Sequence, residues 1–401
     1  MVRSAAVLAM LVACGGSKSA TDGGGTAGDG SGRAHDGPSG SSTGLHVVKG
    51  TNGTNGHIVD PNGAEIHMHG ADRSSTEYAC VNGSVFSGAH DQASVDAMKS
   101  WHINSVRVPL NEDCWLGING MPAASSGQPY RDAIRSWVSL LETNHMLVIL
   151  DLHWAAPGTQ KSDRQLGMAD LDHAPEFWTE VATAYKADHA SVIFDLFNEP
   201  FITDWDCWVN GGTCSKDANN ASYQVAGMKQ LLAAVRATGA DNVVIMGGLA
   251  YSADFTQWVA KVGTLANTSN VAASWHVYSD QSVQTLCPTQ YNNYSTSQTC
   301  ADGATTAMNY GIPGVLAAGY PVVVGEIGIG LYTQALGPYS ATQATQLTTW
   351  LESLLAWVDG QGQGYNAWDW NTEAPPLLLS NFDGTPSPHF GVTYKAHLAG
   401  L

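Results

Sequence analysis

Six apolar stretches of this 401-residue chain end in residues able to move protons or hold anions. They are Ser105-Val106-Arg107-Val108-Pro109, Leu150-Asp151-Leu152-His153-Trp154, Phe194-Asp195-Leu196-Phe197-Asn198-Glu199-Pro200, Ser274-Trp275-His276-Val277-Tyr278, Val324-Gly325-Glu326 and Ala367-Trp368-Asp369-Trp370. Strand interiors seldom carry Arg, Glu or His unless these are paired or put to use. Two carboxylates stand out, Glu199 and Glu326. A converging pair of carboxylates suits hydrolysis of a glycosidic bond: one protonates the leaving oxygen, and the other attacks the sugar or activates water. Structural roles compete with this. Arg107 could tie two strands, His153 could be a hydrogen-bonded histidine at a strand end, and Trp368 could be core. Asp151, Asp195 and Asp369 sit inside strand ends and suit supporting roles better than catalytic ones.

The elements that would position these residues are short β-rich runs alternating with longer helical patterns. Strands are expected at 65–70, 103–110, 147–154, 192–199, 242–249, 271–278, 321–328 and 365–370. Helices are expected at 93–102, 131–145, 174–189, 221–238, 255–262, 306–318, 341–358 and 393–398. Several strands are apolar almost to their last residues, as parallel strands buried on both faces should be. Eight β/α units predict an α/β chain folded as one (β/α)8 TIM barrel over residues 45–401. A short N-terminal hairpin, 45–66, should turn at Asp60-Pro61-Asn62-Gly63. Long loops at 74–92, 113–130, 155–173, 202–220 and 280–304 each follow a strand, so they crowd the C-terminal face where barrel enzymes place their sites. Strands four and seven face each other across that mouth, which lets Glu199 and Glu326 converge.

Composition narrows the partners. With 35 acidic and 17 basic residues, the formal charge is −18. That argues against nucleic acid or anionic lipid held by charge, and against polyuronides. A neutral β-linked polysaccharide or oligosaccharide fits better, and the 13 Trp residues suit stacking on sugar rings as well as core packing. Met1-Val2-Arg3 is a basic start, and Ser4 to Val12 is apolar but too short to span a bilayer. Leu11-Val12-Ala13-Cys14 followed by Gly15 resembles the lipobox of bacterial lipoproteins. Residues 1–13 are therefore expected to be a signal peptide and Cys14 to be lipidated. The protein would be exported and either lipid-anchored at the bacterial cell envelope or surface, or secreted. Residues 14–44 would form a flexible Gly/Ser-rich tether. Setting Cys14 aside leaves six of the seven cysteines. An oxidising compartment favours pairing, and sequence proximity favours Cys80–Cys114, Cys207–Cys214 and Cys287–Cys300 among the possible connectivities. No C-x-x-C spacing points to a zinc site.

The wording of these segments resembles glycoside hydrolase family 5, the cellulase family of the clan A barrels. The apolar strand ending Asn198-Glu199-Pro200 carries the resemblance, with the other positions falling in order along nearly all of 45–401. The resemblance implies Glu199 as acid/base and Glu326 as nucleophile of a retaining mechanism that needs no metal or other cofactor. It further implies supporting roles for Arg107, His153, Asn198, His276 and Tyr278. Arg107 and Tyr278 would keep Glu326 ionised, Asn198 would contact the sugar 2-hydroxyl, and Trp368 would stack under the reacting sugar. Glu199 should have a raised pKa, mainly from the charge of Glu326. The leading substrate is a β-1,4-glucan cut by an endo-glucanase, with β-mannan or exo-action on oligosaccharides as alternatives and a monomer as the working unit. Strand one departs from the family, reading His67-Met68-His69-Gly70-Ala71-Asp72-Arg73. That His-x-His opens a rival reading as a metal-dependent amidohydrolase using His67, His69, His276 and Asp369. It lacks the strand-five His and strand-four Lys such a site needs. A non-catalytic glycan-binding barrel would predict a missing Glu, and both are present.

Overall fold

Eight short buried segments, six of them rich in Val, Ile, Leu or Ala, form parallel strands that close into a barrel in sequence order. The strands are β1 (His69–Asp72), β2 (Ser105–Asn111), β3 (Leu147–Trp154), β4 (Val192–Asp195), β5 (Val244–Gly247), β6 (Val271–Tyr278), β7 (Val322–Gly328) and β8 (Gly364–Ala367). The structure is a computed structural model. It describes residues 43–279, 301–329, 341–373 and 375–401, all within the compact unit Ser41–Leu401.

The strands divide their side chains between two cores, as period-2 alternation requires. Val148, Leu150 and Leu152 of β3 face the surrounding helices in the larger core. Ile149 faces inward, and it meets Ile193, Val243, Ile245, Ala272 and Val323 at the start of the neighbouring strands. Leu45 and Ile58 join this inner cluster, so the hairpin His46–Val48/His57–Val59 closes the N-terminal end of the barrel. The outer helices bury one stripe each. Gln128–Thr143, for example, buries Tyr130, Ile134, Trp137, Val138 and Leu141 at helical spacing.

The expected order of elements holds, with shifted bounds at several elements and four larger local corrections. First, β1 is shifted forward from 65–70 to His69–Asp72, and β4 stops at Asp195 and β8 at Ala367 rather than at 199 and 370, so Asn198, Glu199 and Trp368 lie beyond their strands. Second, the Asp60–Gly63 turn forms, but it folds Glu65 back onto Val59; residues 49–56 join the two hairpin strands instead. Third, 221–238 is not one helix. Ser222–Val225 alternates exposed and buried and pairs with Gly212–Lys216, while the helix is only Met228–Ala237. Asp217 causes this by accepting from the backbone of Asn219 and Ala221 (2.8 Å each), which fixes the turn. Fourth, 306–318 breaks into Gly303–Asn309 and Ile312–Ala317 because Gly311 takes φ 81°.

Two of the expected disulfides form. Cys80–Cys114 (Cα–Cα 6.2 Å) ties the loop after β1 to the helix Glu112–Leu116, and Cys207–Cys214 (6.4 Å) ties the helix Trp205–Asn210 to its neighbouring strand. Cys14 and the expected pair Cys287–Cys300 lie outside the described residues.

Candidate active site

Above the inner apolar cluster, the next inward side chains are ionisable, and Arg107 of β2 is their hub. It is fully buried. Nη1 donates to Glu326 Oε1 (2.8 Å) and Asp72 Oδ1 (3.0 Å). Nε and Nη2 donate to Asp195 Oδ2 (3.3 and 3.2 Å), and Nη2 also donates to Asn198 Oδ1 (2.9 Å) and pairs with Asp151. Burial opposes the guanidinium charge, but Asp151, Asp72, Glu326 and Asp195 outweigh it and hold the group well above its ordinary pKa. One guanidinium does not offset the burial of Asp72 and Asp195, which hold their protons more tightly than exposed carboxyls do. Burial pushes Asp195 up to about 7 and Asp72 well above its ordinary value. Ser274 Oγ donates to Asp195 Oδ2 at 3.0 Å.

Glu326 is placed by a bulge. His276 of β6 aligns with Glu326, while Trp275 aligns with Val324, so Gly325 is the extra residue in β7. A side chain at Gly325 would meet His276 Nε2 at 2.7 Å and Ser274 Oγ at 2.8 Å. The bulge turns Glu326 into the mouth, where Arg107 holds one carboxylate oxygen and Tyr278 Oη donates to the other at 2.5 Å.

Glu199 follows β4 with φ 52°, a left-handed backbone uncommon outside glycine. Its Oε1 lies 3.1 Å from His276 Nδ1, and that nitrogen lies 3.5 Å from Glu326 Oε2. Gln165 Nε2 donates to Glu199 Oε2 at 3.4 Å. Burial raises the Glu199 carboxyl to about 7, against the opposing pull of His153, Gln165 and Arg107. This corrects the expected cause. The raise comes from desolvation rather than from the charge of Glu326, which Arg107 and Tyr278 already engage. Burial likewise drives His276 down to about 3, so the ring between the two carboxyls is neutral.

His153 completes the rim. Its Nδ1 donates to Asp151 Oδ2 (2.9 Å), and its Nε2 faces Asn198 Nδ2 (3.3 Å). Since Arg107 takes the Asn198 oxygen, the amide nitrogen faces this ring and donates to it only while Nε2 carries no proton. Burial disfavours a second proton on His153, but Asp151 outweighs it and raises the ring to about 8. Its face stacks on Trp368 (centroids 5.4 Å, planes 17° apart), which is half-buried just past β8.

The structure thus gathers all eight expected residues, Arg107, His153, Asn198, Glu199, His276, Tyr278, Glu326 and Trp368, at one end of the barrel. The amidohydrolase set does not assemble. His67 and His69 lie at the opposite end, where His69 faces Asp359 (3.6 Å) and His67 faces Glu65 (3.8 Å), while Asp369 accepts from Ser74 Oγ. Among the described residues, one trio of potential metal ligands is Glu199, His276 and Glu326, with ligand atoms within 4.8 Å of one another. Arg107, Tyr278 and His276 already occupy these oxygens. Sequence reasoning missed Asp72 and Gln165. Asp72 was legible, because it alternates with Gly70 once β1 has its true bounds. Gln165 lies in a loop, where no periodicity marks it.

The model of the cellulase family, glycosyl hydrolase family 5, matches residues 59–374. The chain is 24% identical over 336 residues to the mannan endo-1,4-β-mannosidase of Streptomyces lividans; the match covers 82% of this chain and 66% of that protein, just under two thirds of its length. The fold is similar to that of a β-glucanase from Saccharophagus degradans in complex with cellotetraose, with TM-score 0.61, 15% identity, and 89% of this chain and 93% of the other covered. It is also similar to the catalytic domain of a mannanase from Streptomyces sp. SirexAA-E, with TM-score 0.56, 20% identity, and 89% and 91% covered. At these identities, the two solved structures speak for the fold. Since the family model spans most of the folded unit, the chain belongs to glycosyl hydrolase family 5, the cellulase family.

Proposed function

We propose that this protein is a retaining endo-hydrolase of a neutral β-1,4-linked polysaccharide, with Glu326 as nucleophile and Glu199 as acid/base. The observation that carries the reading is the carboxyl spacing: one oxygen of Glu199 lies within 4.8 Å of one of Glu326. A retaining pair stands about 5–5.5 Å apart, whereas an inverting pair needs roughly 6.5–9.5 Å to admit a water. The environments also divide the labour. Both oxygens of Glu326 are held as acceptors, while Glu199 keeps a proton up to about pH 7, ready for the leaving oxygen. In the second step, the ionised Glu199 would take a proton from the water that releases the sugar from Glu326. Trp368 would carry the reacting sugar. Asn198 Nδ2 has a second hydrogen left for its 2-hydroxyl.

Two exposed rings beside the acid support a polymeric substrate. Phe201 and Tyr251 stack on each other (centroids 5.1 Å, planes 21° apart), and the Tyr251 backbone donates to Pro200. Such faces suit stacking on further sugars of a chain. We take β-1,4-glucan as the leading substrate. β-Mannan is the second reading, because the curated relative is a mannan endo-1,4-β-mannosidase. Export with a lipid anchor on Cys14, acting as a monomer at the cell surface, completes the proposal. The two disulfides suit an oxidising compartment, and labelled palmitate should enter the protein only when Cys14 is present.

Purified glucans, mannans and mixed-linkage glucans, with product sizing and proton NMR, test the reading. Mid-chain cleavage of glucan or mannan with the β-anomer formed first is expected. A first-formed α-anomer would overturn the retaining assignment, and turnover of no glycan would overturn the enzymatic one.

A further inference from the structure

The loop after β3, residues 155–173, reaches Glu199 and is tied down along its length. Glu112 Oε1 accepts from Ala156 N (3.2 Å) and Asp113 Oδ2 from Ser162 N (2.9 Å). Asn111 Nδ2 donates to Ser162 O (2.6 Å) and Asn119 Nδ2 to Gln160 O (3.0 Å). Leu166 and Met168 are buried in the core beyond it. From this fixed loop, Gln165 extends one amide nitrogen toward three acceptors: Glu199 O (3.1 Å), Asn198 O (3.3 Å) and Glu199 Oε2 (3.4 Å). The side chain thus grips the backbone and the carboxyl group of the same residue, which holds a left-handed φ of 52°. A non-glycine residue keeps such a conformation where its surroundings over-determine it.

We propose that Gln165 is a positioning residue for Glu199, clamping its left-handed backbone and aiming its carboxyl group at the bond to be cut. The inference rests on the reading of Glu199 as acid/base. The Gln165 nitrogen can only donate, so its bond to Oε2 strengthens when Glu199 is ionised. It therefore favours the carboxylate that the second step requires, against the burial that favours the acid. Among the described residues, the other titratable or charged groups facing Glu199 are His276 and Tyr278 from β6, Glu326 from β7, His153 and Asp151 from β3, and Arg107 from β2. All of them remain when Gln165 is changed.

The test is the pH profile of kcat/KM on cellopentaose or mannopentaose, whichever is cleaved, for wild type, Gln165→Met and Gln165→Glu. Without the donor, the Glu199 acid should hold its proton to higher pH. The alkaline limb should move upward by about half a pH unit in Gln165→Met and further in Gln165→Glu, which adds a like charge. A loosened Glu199 should lower kcat about tenfold, with KM within about twofold. A purely structural role would lower kcat and leave the limb in place, which would overturn the proposal. Should Gln165→Met not fold, Gln165→Glu reads the same limb. Glu199→Ala with azide separates the two layers. Azide rescue with an unmoved limb sinks the Gln165 role alone, whereas no rescue sinks the acid/base reading and the Gln165 role with it.

Discussion

At the scale of the residue, the two carboxyls differ in what surrounds them, and that difference makes the pair chemically useful. Glu326 meets donors at both oxygens, while Glu199 meets a neutral imidazole, an amide and a dry wall. Removing them should give unlike defects. On the proposed roles, Glu326→Ala should lose on the order of 10⁵-fold in kcat on every substrate, because no nucleophile would remain to attack the sugar. Glu199→Ala should lose roughly 10²–10⁴-fold on polysaccharide. It should lose far less in forming the glycosyl intermediate from a dinitrophenyl glycoside, whose leaving group needs no proton, and azide should restore part of its turnover. Steady-state kinetics on the two substrate types, with and without azide, checks this. Equal losses on both substrates from Glu199→Ala would reverse or cancel the assigned roles.

At the scale of the element, the site depends on irregularities at strand ends more than on the strands themselves. β4 ends before Asn198-Glu199, β8 ends before Trp368, and β7 carries a bulge at Gly325. The bulge offers a clean test. In Gly325→Ala, the new methyl would meet His276 Nε2 at 2.7 Å and Ser274 Oγ at 2.8 Å, both in packed surroundings. We expect a stability loss of about 1–3 kcal/mol, together with a kcat loss of about 10²-fold as Glu326 shifts from its partners. Urea unfolding read beside kinetics checks both. Wild-type kcat in a folded Gly325→Ala protein would show that the bulge does not set the position of Glu326. The loops around the site are braced separately, by Cys80–Cys114 at the β1 and β2 ends and by Cys207–Cys214 beyond β4.

At the scale of the whole molecule, the cost of burying so many acids should appear in the dependence of stability on pH. Burial raises Glu77 and Asp113 to about 6 and Asp195 and Glu199 to about 7, from ordinary values of 4.5, 3.8, 3.8 and 4.5. A carboxyl raised on folding adds stability that is complete below its unfolded pKa and lost as pH climbs through the folded one. For these four, the window runs from about pH 4 to about 7. His153, raised to about 8, acts in the same direction between its ordinary 6.5 and 8. His276, lowered to about 3, opposes them, since its contribution is present above 6.5 and lost on acidification. Five groups outweigh one, so the melting temperature should be higher near pH 5 than at pH 8. Scanning calorimetry across that range checks the sign, and a melting temperature that rises steadily to pH 8 would contradict it.

The sequence by itself determined the barrel and which residues gather in most of the candidate site. Period-2 alternation put Arg107, Asp151, His153, Asp195, His276 and Tyr278 on inward faces near strand ends, and eight β/α repeats closed those ends around one mouth. The order of the cysteines also sufficed for two disulfides, because each joins consecutive cysteines of the chain. Tertiary structure decided the rest, for reasons that act at a distance. Desolvation by the assembled walls, rather than a neighbouring charge, raises Glu199. The start of β1 follows from its pairing with β2 and β8, which sends His67 and His69 to the far end and brings Asp72 to Arg107. Gln165 reaches Glu199 because carboxylates and amides on the segment after β2 fasten a loop after β3. Contacts between segments that far apart are set by how the barrel closes, and no local pattern of residues records them.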